Sequence, residues 1–286
     1  ARIAEEWAVI DNLTNGRAAL AIASGWQPDD FVLRPQNTPP NNKKAMFETI
    51  DQLRRLWRGE AVPFPTATGE PFNVITQPRP VSKELPVWVT TAGNPETWKE
   101  AGAIGANVLT HLLGQTVDEV GSKIKIYHQA LRDAGHDPAN FTVTLMLHTY
   151  VAADREQARA VAREPMKDYL RSAAGLIKQY AWAFPAFKKP AGVNNPFDLD
   201  LRSLNEEELE AILDFAFLRY FEDSGLFGTV DDCVARVEEL KRIGVGEVAC
   251  LIDYGIPTQQ VLQSLVPLAE VLRRTNQPTT VAEDDF

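Results

Sequence analysis

The amino-acid sequence predicts a parallel α/β fold of the (β/α)8 barrel class, and three observations carry that expectation. Apolar runs of strand length alternate with amphipathic stretches of helical period along most of the chain, which calls for a parallel sheet covered by helices. The run Ala18 to Ala23 is unbroken and made of small apolar residues, the pattern of a strand covered on both faces. Polar residues follow the strands just before the next helix, where barrels of this class carry their active-site loops.

The elements follow in order. Ile3, Trp7, Ile10 and Leu13 recur at helical spacing as the apolar face of an opening helix, and Asn15 and Gly16 stop it. After the first strand, Ser24, Gly25 and Trp26 form the first rim candidates. A Pro- and Asn-rich loop leads to a helix ending at Trp57, with Phe47, Ile50, Leu53 and Leu56 inward, and then to a Pro-punctuated excursion up to Pro86. Strands are expected at Val87 to Thr91, Asn107 to Leu112, Phe141 to Val151 and Glu247 to Ile252. Helices are expected from Pro95, over Val117 to Leu131, in two stretches from Asp154 to Tyr180, and over Glu206 to Phe221, Thr229 to Ile243 and Gln259 to Arg274. The aromatic and Pro-rich segment 181–205 reads as a lid over the barrel, and 276–286 as a polar, disordered linker.

This makes five strand-then-helix units against the eight of a closed barrel. Because the chain opens on Ala1, inside a helix, the expectation is a barrel domain over 1–275 truncated at its N-terminus, with about three units upstream. An open five-strand sheet would leave two apolar edges exposed.

Composition bounds the function. A chain of 286 residues, 44% hydrophobic, is long enough for a large core, and its net charge of -10 argues against a nucleic-acid or anionic-membrane surface. Cys233 and Cys250 stand far apart and form no metal-ligand cluster. With no signal peptide or membrane-length apolar run, the expected compartment is the cytoplasm.

The strongest chemical motif is LPVWVTTAGNPETWKEAGAIGANVLT, residues 85–110. Its strand stops at Ala92 and Gly93, Asn94 is a good N-cap and Pro95 a good first helical residue. Free backbone N–H groups and a helix dipole of roughly half a positive charge make such a turn an anion site, and Gly93 admits a phosphate close to the backbone. Thr97 adds a hydroxyl one turn into the helix. Further rim candidates are Thr110 and His111, His148 and Tyr150, and Asp253 and Tyr254. His128 and His136 read as solvated, and no His pair has metal-ligand spacing with a carboxylate. The stretch GVGEVA, 244–249, imitates a dinucleotide fingerprint but precedes its strand, and no nucleophile elbow or P-loop occurs.

The blocks RIAEEWAVIDNLTNGRAALAIASGW, RLWRGE, the 85–110 motif and 228–255 together resemble the bacterial luciferase-like monooxygenases, flavin-dependent TIM barrels. The resemblance is greatest to the subgroup found as monooxygenase domains of nonribosomal peptide and polyketide synthases. It implies FMN as cofactor, with Ser24, Thr91, Ala92, Gly93, Asn94 and Thr97 around its phosphate. Ser24 stands where bacterial luciferase has an Arg, so this chain lacks that positive charge. The resemblance further implies oxidation of an organic substrate by reduced flavin and O2, with a separate flavin reductase as partner and a small-molecule or carrier-protein-bound acyl or aminoacyl substrate. His111, His148 and Tyr150 are the candidates for catalysis. An F420-dependent hydride-transfer enzyme of the same superfamily and a noncatalytic flavin-binding module of a synthase remain the alternatives.

Overall fold

The computed structural model describes residues 1–172, 178, 181–182, 200 and 204–276. The expected lid over 181–205, with the aromatic residues Phe184 and Phe187, falls almost wholly outside these residues, as does the tail from 277. The chain divides into two compact units, Ala1–Leu109 with Lys125–Thr142, and Thr110–Ile124 with Val143–Phe286.

In the first unit, α1 (Arg2–Thr14) ends on Asn15, whose left-handed φ of 53° turns the chain. Its buried face is Ala4, Ala8 and Asp11, whereas Ile3, Ile10 and Leu13 are exposed, Leu13 by 81%. Three of the four residues of the apolar stripe therefore face out, while Trp7 is half-buried and donates its indole N–H to the Ala19 carbonyl at 2.9 Å; Asp11 sets the inward face. Its buried carboxylate accepts the Ser82 N–H at 2.8 Å, the Ser82 hydroxyl at 2.9 Å and the Ala18 N–H at 3.4 Å, which fixes the helix with this face inward. Burial by itself raises the Asp11 pKa, but the donors from Ser82 and Ala18 outweigh it and leave the group below its ordinary value.

The short strand β1 (Leu20–Ile22) is followed by α2 (Asn42–Arg58), which buries Met46, Ile50, Leu53, Leu56 and Trp57. Met46, not Phe47, completes the inward face. The Trp57 indole N–H donates to the Ser82 carbonyl at 3.0 Å, so Ser82 ties both helices to one loop. The Pro-punctuated excursion contains an unanticipated antiparallel hairpin, β2 (Val62–Pro65) and β3 (Pro71–Val74), masked in the sequence by prolines at its edges. Two of the parallel strands are β1 and β4 (Val87–Thr90), in register Leu20↔Val87; β4 pairs in turn with β5 (Asn107–His111), in register Thr90↔Leu109. Contrary to the sequence pattern, β1 is not covered on both faces: Ala21 and Ala23 are exposed. A pattern of small apolar residues reports compatibility with burial, and β1 has β4 as its one strand partner among the described residues.

Helix α3 (Pro95–Ala103) packs its buried Trp98 edge-on against Tyr127 of α4 (Val117–Asp133), ring centres 6.5 Å apart. Gly102 allows this approach. A Cβ there would stand 2.7 Å from the Tyr127 carbonyl oxygen.

The second unit is organised by β6 (Val143–Val151), nine residues of which only Met146 is not buried. It pairs in parallel with β7 (Leu226–Gly228) through Thr149↔Leu226 and with β8 (Glu247–Leu251) through Leu145↔Val248. The connecting helices are α5 (Arg155–Ser172), α6 (Glu206–Arg219), α7 (Val230–Arg242) and α8 (Thr258–Thr275). β7 was not anticipated, because three residues are too few to show a period. The parallel strands thus number six among the described residues rather than the five read from sequence. Thr229 caps α7 as expected, in a reciprocal box with Asp232. Cys233 is buried and Cys250 half-buried.

Candidate functional site

The structure places the predicted phosphate residues in the first unit, where β4 gives way to α3. The Thr91 N–H still bonds to the Leu109 carbonyl at 2.9 Å, so the sheet holds the turn up to that residue. The Trp98 indole N–H donates to the Ala92 carbonyl at 3.0 Å and ties the turn to the helix it introduces. Asn94 is the N-cap, its side-chain oxygen accepting the Glu96 N–H at 3.0 Å while its carbonyl accepts the Thr97 N–H at 3.2 Å. This corrects one expectation. The donors of the first helical turn are not free, because the N-cap satisfies two of them and Pro95 has none. The N–H groups of Gly93 and Asn94, ahead of the helix, make no hydrogen bond among the described residues.

Gly93 itself is exposed, has no left-handed φ, and a Cβ built on it meets no atom within 4 Å. Neither backbone geometry nor packing among the described residues calls for glycine here. Thr97 is buried one turn into α3, and Ser24 is half-buried past the end of β1, its hydroxyl 3.5 Å from the Asn42 amide nitrogen.

The catalytic candidates lie in the second unit. His111 is the last residue of β5 and is half-buried; its Nδ1 accepts the Leu113 N–H at 3.1 Å. Burial lowers its pKa. His148 is not at a strand end as expected, but three residues inside β6, and is 4% exposed. Three tyrosine rings surround it edge-on, Tyr169 at 4.6 Å and Tyr220 and Tyr254 each at 5.3 Å. Burial first, and the neighbouring His111 second, push the His148 pKa down to about 4, so it is neutral at pH 7. Its Nε2 and the Tyr254 hydroxyl are buried without a hydrogen-bond partner among the described residues. Tyr150, buried on the same strand, has its pKa raised by burial and lines a cavity of about 740 Å³ with Ala152, Gln157, Thr229, Gln263 and Arg274.

His111 and His148 are close enough to interact electrostatically, as are Tyr150 and Tyr254. Tyr169, Tyr220, Gln115 and Lys123 were missed by sequence reasoning. A signal existed for Lys123, which falls on the buried stripe of α4 with Val120, Ile124 and Tyr127, where a charge is out of place. His128 and His136 are half-buried rather than solvated, His136 lying edge-on to Phe141 at 5.5 Å.

Parallel strands each followed by a helix, with a glycine-centred turn after one of them, define an α/β protein of the strand–turn–helix type. The sequence profile described as luciferase-like monooxygenase matches residues 1–247, and the chain belongs to that family. Over 271 residues it is 25% identical to the oxygenase component of the flavin-dependent trigonelline monooxygenase of Acinetobacter baylyi, covering 92% of this chain and 69% of that protein. Among solved structures, the oxygenating constituent of 3,6-diketocamphane monooxygenase from Pseudomonas putida, in complex with FMN, matches with a TM-score of 0.69 at 18% identity, over 97% of this chain and 76% of that one. An F420-dependent secondary alcohol dehydrogenase matches with a TM-score of 0.63 at 18% identity, over 96% of this chain and 74% of that one. Both structures share the α/β fold.

Proposed function

We propose that this chain is an FMN-dependent monooxygenase that uses reduced flavin and O2 to oxidise an organic substrate. The observation that carries the reading is Gly93. A glycine with ordinary φ and open space above it, beside two N–H donors and a buried Thr97, suits a phosphate that approaches the backbone closely. In this reading Ser24, Thr91, Ala92, Gly93, Asn94 and Thr97 hold the phosphate end of FMN on a (β/α)8 scaffold of the TIM-barrel type, and the flavin when bound supplies the redox chemistry with oxygen. The neutral His111 and His148 and the protonated Tyr150 line an apolar environment that favours an uncharged substrate and keeps water away. The flavin-dependent relative described as an oxygenase component supports a separate reductase as the source of reduced flavin. Action in the cytoplasm, on an acyl or aminoacyl substrate borne by a carrier protein in natural-product assembly, completes the proposal.

The F420-dependent structural relative favours a second reading, hydride transfer to a deazaflavin without oxygen. One experiment separates the two. Oxygen uptake on adding chemically reduced FMN is expected; absence of uptake together with F420 turnover would replace the first reading by the second.

A further inference from the structure

His111 is held by two layers of contacts, and they determine which of its ring nitrogens carries the proton. The Leu113 N–H points at Nδ1 from 3.1 Å. A backbone N–H is always a donor, so Nδ1 must accept, and in a neutral imidazole the single proton then resides on Nε2. Protonation of Nδ1 would set two donors face to face, which opposes the imidazolium independently of burial; burial lowers the pKa in the same direction. Nε2 makes no hydrogen bond among the described residues, and the half-buried ring leaves it reachable.

The loop that supplies the Leu113 N–H is itself fixed. The Gln115 side-chain NH2 donates to the Thr110 hydroxyl at 3.1 Å and to the His111 carbonyl, clamping the end of β5 to the start of the loop. An amide can flip. The flip is prevented here by Lys123, whose ammonium donates to the Gln115 oxygen at 2.7 Å; a reversed amide would present NH2 to NH3⁺. Both side chains are buried, and the carboxylate that feels the Lys123 charge, Glu119 one turn earlier on α4, is not paired with it within 4 Å. A buried ammonium satisfied by a neutral amide is costly, and its placement does the specific work of orienting Gln115. Leu113 in turn packs against the cluster that includes Tyr150, Tyr220 and Tyr254, so the surroundings of the loop are apolar.

We propose that His111 serves the substrate as a neutral hydrogen-bond donor through Nε2, not as a base, and that Gln115 and Lys123 are the positioning residues that hold it so. The ligand class is an organic molecule with an uncharged acceptor oxygen, a carbonyl or hydroxyl. This rests on the reading that the chain oxidises an organic substrate.

The test uses the full chain with 15N-labelled histidine and no flavin. Long-range 15N–1H spectra at pH 7.5 should put the His111 proton on Nε2; a proton on Nδ1, or averaging between the two, overturns the proposal. Gln115→Glu keeps volume and an acceptor for Lys123 but deletes the donors to Thr110 and His111, and should produce averaging. Lys123→Gln serves the same purpose if that variant does not fold, and an unchanged single tautomer in the variant measured overturns the positioning role. Acetophenone should move the Nε2 proton while ethylbenzene, which lacks the oxygen, should not. His111→Leu should weaken acetophenone binding about tenfold, the value of one good hydrogen bond, with His111→Gln retaining it within about threefold. Equal responses to the two probes overturn the donor role. Neither flavin nor oxygen enters these measurements, so their outcome is independent of the oxygen-uptake test.

Discussion

Protonation of His148 is the perturbation with the largest calculable effect. In the folded chain its pKa lies near 4, against an ordinary 6.5, so the unfolded chain takes up a proton that the folded chain refuses. The gap corresponds to about 3 kcal/mol at ~1.4 kcal/mol per pH unit. The sign follows: the contribution is fully present above pH 6.5, falls as the pH drops through the window down to about 4, and is exhausted below it. By pH 5 about 2 kcal/mol should be gone. His148→Phe removes the titration and the unpartnered Nε2 together, while an aromatic ring still meets Tyr169, Tyr220 and Tyr254. Urea unfolding at pH 7.5 and pH 5 should show the wild type losing about 2 kcal/mol more than the variant, and the variant at least as stable as wild type at pH 7.5, since an unsatisfied buried polar atom costs roughly 1–3 kcal/mol. Equal pH dependence in the two proteins would refute the assignment of the shift to His148.

The other predictions concern single positions. Gly93→Val should leave the melting temperature within about 1 °C of wild type, because its Cβ enters open space, yet abolish FMN binding in a fluorescence titration; a drop in stability equal to the loss in affinity would remove the phosphate from this turn. Thr97→Ala should weaken FMN by about 1 kcal/mol in the same titration, and unchanged affinity counts against its hydroxyl as a donor. Gly228→Ala should destabilise by more than ~2 kcal/mol in urea unfolding, since φ is +120° and the new Cβ would lie 2.5 Å from Asp232 Oδ2, inside the α7 capping box. Asp11→Asn should destabilise the first unit at neutral pH and reduce its acid sensitivity, because a lowered carboxylate pKa contributes stability that is lost as pH falls below the ordinary 3.8.

What the sequence disclosed depended on local pattern. The Thr91–Thr97 turn was legible because strand, glycine, N-cap and helix-starting proline are neighbours in the chain, and the cap and the proline each have a local conformational reason. The orientation of α1 was not, because a single buried carboxylate bound to Ser82, far along the chain, outweighs three of the apolar residues at helical spacing. The aromatic cage around His148 was equally hidden: its rings come from α5, the turn after α6 and the loop after β8, and no spacing rule links such positions. The occupancy of the helix N-terminus escaped for a subtler reason. Asn94 was identified as a cap, and a cap uses the very donors that an anion would need.

The placement of β6 has a consequence for how the second unit forms. Its partners β7 and β8 are contributed by segments that follow α6 and α7, long after β6 itself in the chain. Pairing with these two strands must therefore wait, during synthesis or refolding, for the closure of loops of many tens of residues, a slow and entropically costly event. Until then the edge of β6 that β7 and β8 cover remains available to other molecules. Refolding at high protein concentration should accordingly yield aggregates seeded at residues 143–151, and a chaperone that shields extended apolar segments should raise the yield without altering the final stability.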